Sequence, residues 1–270
     1  MATTVEVLSE AFDEMGTPFI VGHPGGETVE LMDAARNRQV RFILMKQETA
    51  GAMMAATWGE ITGSPGVSVS TRGPGAANMV NGVAHAWMDR APLIVINDQY
   101  PGATYETGMR QVLNQHALFA PITKWQSTIH AKSVRQQIRR AIRVTTTPTP
   151  GPVQFDMPSN ETMGEAVEAA GEAPLLPNVV PIEPDRNALR VPLQALSNAS
   201  KPILLAGLGV FWDEAPAELV KLAERLGAPV LTTSKTKGAI PEDHPLRAGC
   251  IIGGLIEREL VMQADLIVTV

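Results

Sequence analysis

Short apolar runs alternate with stretches of helical periodicity along most of the chain. Thr3 to Met15 predicts a helix. Val5, Leu8, Phe12 and Met15 recur at helical spacing, Thr3 and Glu6 form a capping-box pair, and Gly16 stops it. "PFIVG" (18–22) predicts a short buried strand, "PGG" (24–26) a turn into a helix through Leu31 and Ala35, "VRFILM" (40–45) the next strand, and Gln47 to Thr62 the next helix. After the turn "GSPG" (63–66) come a strand "VSVST" (67–71), an entry "RGPGAAN" into a helix through Trp87, and a strand "PLIVIN" (92–97). Asp98 to about Ala120 reads as a long irregular segment, and such segments inside a compact domain are usually functional or mobile. Ala131 to Thr145 is helical, and "PVQFDMP" (152–158) is a strand. This alternation predicts an α/β fold, a doubly wound parallel sheet covered on both faces.

From Glu161 to Asp185 the chain turns rich in Pro, Ala, Glu and Gly, the composition of an interdomain linker. The pattern places a first domain at 1–165, a linker at 166–186 and a second α/β domain at 187–270. In the second, a helix near Asn187 to Asn198, strand "PILLAG" (202–207), a helix from Ala215 to Leu226, strand "PVLTT" (229–233) and strand "ADLIVTV" (264–270) are predicted. Two or three strands with an open edge make a poor core. The expectation is therefore a second domain truncated at its C-terminus, in a fragment of a longer protein.

Composition narrows the function classes. Hydrophobic residues make up 44% and charged residues 19%, ordinary values for a globular α/β protein. A net charge of −6 argues against a nucleic-acid partner. Arg135, Arg139, Arg140 and Arg143 read as the solvated face of one helix. The single cysteine, Cys250, allows no internal disulfide and suits a reducing compartment. No apolar run approaches the roughly 18 residues of a spanning helix, and the N-terminus lacks a basic signal-peptide region. The expectation is a cytoplasmic protein without a membrane partner.

One carboxylate stands out. Glu48 opens a helix of almost only small and apolar residues, at the carboxyl end of a predicted parallel strand, where open α/β sheets bind ligands. Ala50, Met53, Met54, Thr57, Trp58 and Ile61 form one apolar stripe, expected to face the sheet. Glu48, Gly51, Ala52, Ala55 and Gly59 form a second stripe of small residues, expected to admit another helix closely. The helix should then be buried nearly all round. The plainer alternative is an acid that favours the helix macrodipole.

The segment "TGSPGVSVSTRGPGAANMVNGVAHAWMDRAPLIVI" (62–96) resembles the pyrimidine-binding domain of thiamine diphosphate enzymes of the acetolactate synthase and 2-oxo-acid decarboxylase superfamily. So do "GHPGG" (22–26), "KQETAGAMMA" (46–55), "ITKW" (122–125) and "GPVQFDMP" (151–158), in the family's order and spacing. "LAGLGV" (205–210), "LGAPVLTT" (226–233) and "HPLRAGCIIG" (244–253) resemble the start of that family's central domain. The cofactor of that family carries the hard chemistry at its thiazolium C2. The resemblance implies that Glu48 is the acid that bonds N1′ of the aminopyrimidine, making the 4′-amino group a base. Small neighbours would exclude water and let it share a proton with the ring. An aspartate would be one methylene too short, and a glutamine cannot transfer the proton.

The resemblance further implies that Pro24 and Gly25 adjoin the cofactor, and that Thr71, Gly73, Pro74 and Asn78 pack against the aminopyrimidine. Gln111 matches a glutamine near the cofactor of the facing subunit. Gly22 and His23 would border the substrate space, with Gly22 and Gly25 permitting a tight turn. His23 is either a polar contact there or a loop histidine with structural hydrogen bonds only. The family's diphosphate and Mg2+ motif, "GDG" with a later asparagine pair, is absent from these 270 residues, and no cluster of hard oxygen ligands replaces it. Mg2+ is thus expected on a missing domain, no metal site is predicted here, and the chain alone is expected to be inactive. The working unit is expected to be a homo-oligomer, at least a dimer, acting on a small-molecule 2-oxo acid or acyl donor.

Departures leave synthase and decarboxylase both open. Arg72 stands where the family commonly has serine, and Arg110 and Val112 flank Gln111 where acetolactate synthases have phenylalanine and glutamate. His85, His116, His130 and His244 stand apart, without the adjacent pair of pyruvate decarboxylases. "GLGVFW" (207–212) imitates a dinucleotide fingerprint without its third glycine, so FAD is a possible second cofactor or the turn is structural. Two other classes stay open: a flavin or nucleotide binder using that turn, and a non-catalytic paralogue or accessory subunit.

Overall fold

Thr3 starts the first helix, α1 (Thr4–Glu14), by reciprocal capping: Glu6 N donates to its hydroxyl, and Thr3 N donates to the Glu6 carboxylate at 2.7 Å. This computed structural model describes residues 2–167, 176 and 183–270. Contacts divide the chain into two units, Met1–Val179 and Val180–Val270. Most of the predicted linker at 166–186 lies outside the described residues.

In the first unit, β1 (Phe19–His23), α2 (Val29–Asn37), β2 (Arg41–Leu44), α3 (Glu48–Thr62), β3 (Gly66–Ser70), α4 (Pro74–Met88) and β4 (Leu93–Gln99) follow in turn. α5 (Gln115–Phe119), β5 (Trp125–Thr128), α6 (Val134–Thr146) and β6 (Pro152–Pro158) complete it. The six strands are all parallel, in the order β2-β1-β3-β4-β6-β5. One core cluster joins α1, α2 and α6 to the sheet through Leu8, Phe12, Leu31, Ile138 and Phe155. The other joins α3 and α4 through Ala52, Ala55, Met79 and Val83. This is the doubly wound arrangement that the alternation predicts. Each fully buried large side chain contributes about 1.5–3 kcal/mol. The segment after β6 returns to the chain's start, where Thr4 N donates to Gly164 O at 2.9 Å and Ala166 is buried.

α3 corrects one expectation. The small stripe is the buried one, and it faces both the sheet and α4. Gly51 lies on β1, where an added Cβ would sit 3.4 Å from Gly22 Cα, and Gly82 of α4 lies against Ala52 and Thr49. The larger stripe, expected to face the sheet, is instead open: Met54 is 39% and Ile61 71% exposed. The helix is therefore not buried all round. The sheet's bulk already comes from its own Val and Ile side chains, so only glycine and alanine fit between it and α4. The expected turn glycines also differ. Gly22 is inside β1, where a Cβ would collide with Val69 O, and Gly25 is extended at φ −124°. Close approach, not a left-handed turn, is what Gly22 serves.

The second unit contains α7 (Arg190–Asn198), β7 (Pro202–Ala206), α8 (Gly209–Trp212), α9 (Pro216–Leu226), β8 (Val230–Thr232), β9 (Arg247–Cys250), α10 (Leu255–Gln263) and β10 (Leu266–Thr269). Its parallel sheet has four strands, β10-β7-β8-β9, where two or three were expected. Leu204, Val230, Leu219 and Ala223 are in its core.

Candidate active site

The strand order reverses between β1 and β3, because the chain winds one way to β2 and the other way to β4. Their carboxyl ends are level, with His23 opposite Ser70. Such a switch point leaves a crevice beyond the strand ends. The first turn of α3 puts Glu48 there. The residue is only 7% exposed. Oε2 accepts from the Asn78 side-chain amide at 3.2 Å. Oε1 lies beside Gly75, 3.2 Å from where a Cβ would be. The α3–α4 seam is fixed by Gly82 and by Thr49, whose hydroxyl donates to Asn78 O.

The other predicted site residues divide in two groups. Asn78, Gly75 and Thr71 gather around Glu48; the Thr71 hydroxyl lies at the same Cβ-sized gap beside Gly75. Pro74 opens α4, and Gly73 before it has φ +62°, a conformation suited to glycine. The backbone of Gln111 packs directly on Gly73, while its side chain is exposed. At the end of β1, opposite Ser70, His23 is exposed and its Nδ1 is 2.8 Å from Met45 O, a structural hydrogen bond. Gly25 bonds Thr28 through both its main-chain groups, which starts the helical turn before α2 after Pro24. Gly22 is buried in the sheet, without a surface toward the crevice.

A buried polar group behind the Gly73 turn escapes the sequence reading. Gly73 N donates to Gln115 Oε1 at 3.0 Å, and Gln115 Nε2 donates to Asp156 Oδ1 at 2.7 Å and to Asp98 O. Gln154 Nε2 bonds both Asp156 and Asn97, and Asn97 Nδ2 bonds Ser70. Buried polar atoms are costly unless paired in this way. The available signal was polar residues inside apolar runs, Asn97 and Asp98 ending β4, Gln154 and Asp156 within β6. A groove of about 670 Å³ between α2 and the β2 edge contains none of the predicted site residues.

The arrangement fits the pyrimidine half of thiamine diphosphate. A buried glutamate is oriented by one amide, and glycine at 75 lets its carboxylate and the Thr71 hydroxyl approach the helix backbone closely. Among the described residues, no three His, Cys, Asp or Glu side chains converge as metal ligands, and no helix is long and apolar enough to cross a membrane.

Comparison with known proteins agrees. Residues 2–118 match the thiamine pyrophosphate enzyme N-terminal TPP binding domain, and residues 190–270 match the thiamine pyrophosphate enzyme central domain. A probable acetolactate synthase large subunit of Methanocaldococcus jannaschii is 34% identical over 253 residues, 91% of this chain and 42% of that protein. The Escherichia coli acetolactate synthase isozyme 1 large subunit is 29% identical over 98% of this chain and 48% of its own length. The thiamine diphosphate-dependent 4-hydroxybenzoylformate decarboxylase of Rhodococcus jostii RHA1 superposes with a TM-score of 0.86 at 27% identity, covering 100% of this chain and 52% of that one. The chain thus spans about half the length of the proteins it matches. With two of the family's domains matched in order on a parallel α/β fold, the chain belongs to the thiamine pyrophosphate enzymes of the acetolactate synthase and 2-oxo-acid decarboxylase superfamily.

Proposed function

We propose that this chain supplies the pyrimidine half of a thiamine diphosphate site in a lyase or transferase acting on 2-oxo acids, with Glu48 as the activating acid. The observation that carries the reading is the Glu48 carboxylate, buried at the β1/β3 switch point beside Gly75 and oriented by Asn78. When bound, the cofactor supplies a nucleophilic carbon for attack on the substrate carbonyl. Glu48, only 7% exposed, would hold and return the proton at N1′. Gly73, Pro74 and Thr71 would hold the ring, with the Gln111 main chain packed on Gly73. His23, at the rim, is free to meet substrate only through Nε2, since Nδ1 is engaged by Met45 O.

The diphosphate and Mg2+ are assigned to groups outside the described residues. A second copy of the chain is the proposed occupant of the outer side of α3 and α4, where Met54 and Ile61 of α3 and Met88 of α4 are exposed. FAD has less support: the turn after β7 leads into α8, a helix of four residues, too short to present a phosphate site.

Glu48→Gln tests the reading. With thiamine diphosphate and Mg2+ bound to the full-length protein, exchange of the cofactor's C2 proton should slow by about 10²–10⁴-fold, the usual worth of a positioned acid–base group. Exchange at the wild-type rate would remove Glu48 from the role.

A further inference from the structure

Arg72 follows β3 and is nearly fully buried, yet it does not serve the sheet core. Its Nε donates to Asp98 Oδ2 at 2.7 Å, and Asp98, at the end of β4, is 1% exposed. Its guanidinium carbon lies 4.0 Å from the centroid of the Tyr100 ring. Tyr100 in turn gathers the segment that follows it. Its hydroxyl donates to Arg110 O at 3.0 Å, and Gly108 lies so close that a Cβ would meet two ring carbons at 3.0 and 3.2 Å. One residue beyond Arg110, the main chain of Gln111, at φ +57°, rests on Gly73. The contacts therefore close a ring, from Arg72 through Asp98 and Tyr100 to Arg110 and Gln111, and back to Gly73.

Little else holds this segment. Among the described residues 101–114, every side chain is exposed or half-buried, and Met109 is 96% exposed. A segment with so few buried apolar contacts opens at low cost unless a specific anchor holds it. A planar guanidinium can bond a carboxylate edge-on and stack on an aromatic face at once; an ammonium cannot.

We propose that Arg72 is a positioning residue: clamped by Asp98, it stacks on Tyr100 and so keeps segment 100–113 docked on Gly73, with Gln111 beside the turn that faces Glu48. The importance of that turn rests on the function proposed above, but the docking itself does not. Tyr100 meets the segment through its ring and its hydroxyl bond, so removing the ring should free the segment while the Arg72–Asp98 pair stays in place.

Hydrogen exchange of the full 270-residue chain, without cofactor, tests this in wild type, Arg72→Met, Arg72→Lys, Tyr100→Leu and Tyr100→Phe. Tyr100→Leu, which leaves the ion pair intact, should raise exchange at amides 104–113, and tryptic cleavage after Arg110, at least tenfold, with β3 and β4 amides unchanged. Arg72→Met should raise them as much, with added exchange at the end of β4, where the buried Asp98 carboxylate loses its Arg72 partner. Tyr100→Phe keeps the ring on Arg72 and Gly108 but loses the bond to Arg110 O, so its exchange should fall between wild type and Tyr100→Leu; Arg72→Lys should behave like Arg72→Met in the segment. Wild-type exchange in both Arg72→Met and Tyr100→Leu would overturn the proposal, as would equal acceleration across β3, β4 and the segment in Tyr100→Leu. If Arg72→Met fails to fold, Tyr100→Leu decides, since it leaves the ion pair intact. Failure here leaves the Glu48→Gln result untouched, and the reverse also holds.

Discussion

The side-chain amide of Asn78 donates to Glu48 Oε2 at 3.2 Å across the seam where α3 meets α4. The two residues come from different helices, and the seam's small side chains set their separation. Asn78→Ala removes the donor while leaving the carboxylate in place. Loss of one hydrogen bond to a charged group should cost about 1.5–3 kcal/mol if water does not replace it. Urea unfolding of the chain measures this. In the full-length protein the same variant should raise the thiamine diphosphate concentration needed for half-maximal activity, and an unchanged value would separate Asn78 from the site.

Gly82 supports that seam from below. A Cβ there would come within 2.6 Å of both Ala52 Cβ and Thr49 O. Gly82→Ala should therefore destabilise by about 1–3 kcal/mol through overpacking, while Gly102→Ala, with open space around it, should stay within about 0.5 kcal/mol of wild type. Equal urea midpoints for the two variants would refute close packing as the reason for Gly82.

These relations mark how far the sequence could be read. Glu48, Gly73, Pro74 and Asn78 belong to contiguous motifs, and helical spacing alone places Glu48 and the small residues on one stripe. The partner of that stripe was legible too, since glycine and alanine at such spacing invite a helix. Which stripe meets the sheet was not, because hydrophobicity ranks Met and Ile as more buried than Gly and Ala, and here steric fit decides the reverse. β5 and β9 escaped for another reason. Both are edge strands with half-buried side chains, and "WQST" and "RAGC" show neither an apolar run nor alternation. "ITKW" was recognisable as a motif, yet its lysine has a role that only the fold reveals. Lys124 Nζ donates to Val144 O and Thr147 O, closing the carboxyl end of α6. Gln115 was invisible because its partners, Gly73 and Asp156, are 42 and 41 residues away.

The open apolar face carries its own prediction. Ile61 is 71% and Met88 73% exposed, each near the carboxyl end of its helix, α3 and α4. If a second copy covers it, Ile61→Glu should shift the full-length protein from dimer or higher to monomer in sedimentation velocity, without lowering helix content. An unchanged sedimentation coefficient would place the interface elsewhere.

Acid should loosen the second unit at one identifiable point. Asp265 precedes β10 and accepts from Ser200 N at 2.7 Å and Lys201 N at 2.8 Å, just before the neighbouring β7. The Ser200 bond first, then the Lys201 bond, holds its carboxyl below the ordinary aspartate value of 3.8. The unfolded chain lacks both bonds and titrates at the ordinary value. Their contribution is therefore complete above about pH 4, and it is lost as the pH falls through the folded-state pKa. Amide resonances of Ser200 and Lys201 should titrate together with a midpoint under 3.8, and Asp265→Asn should abolish that shared transition. A midpoint at or above the ordinary value would mean that the two amides do not favour the ionised form.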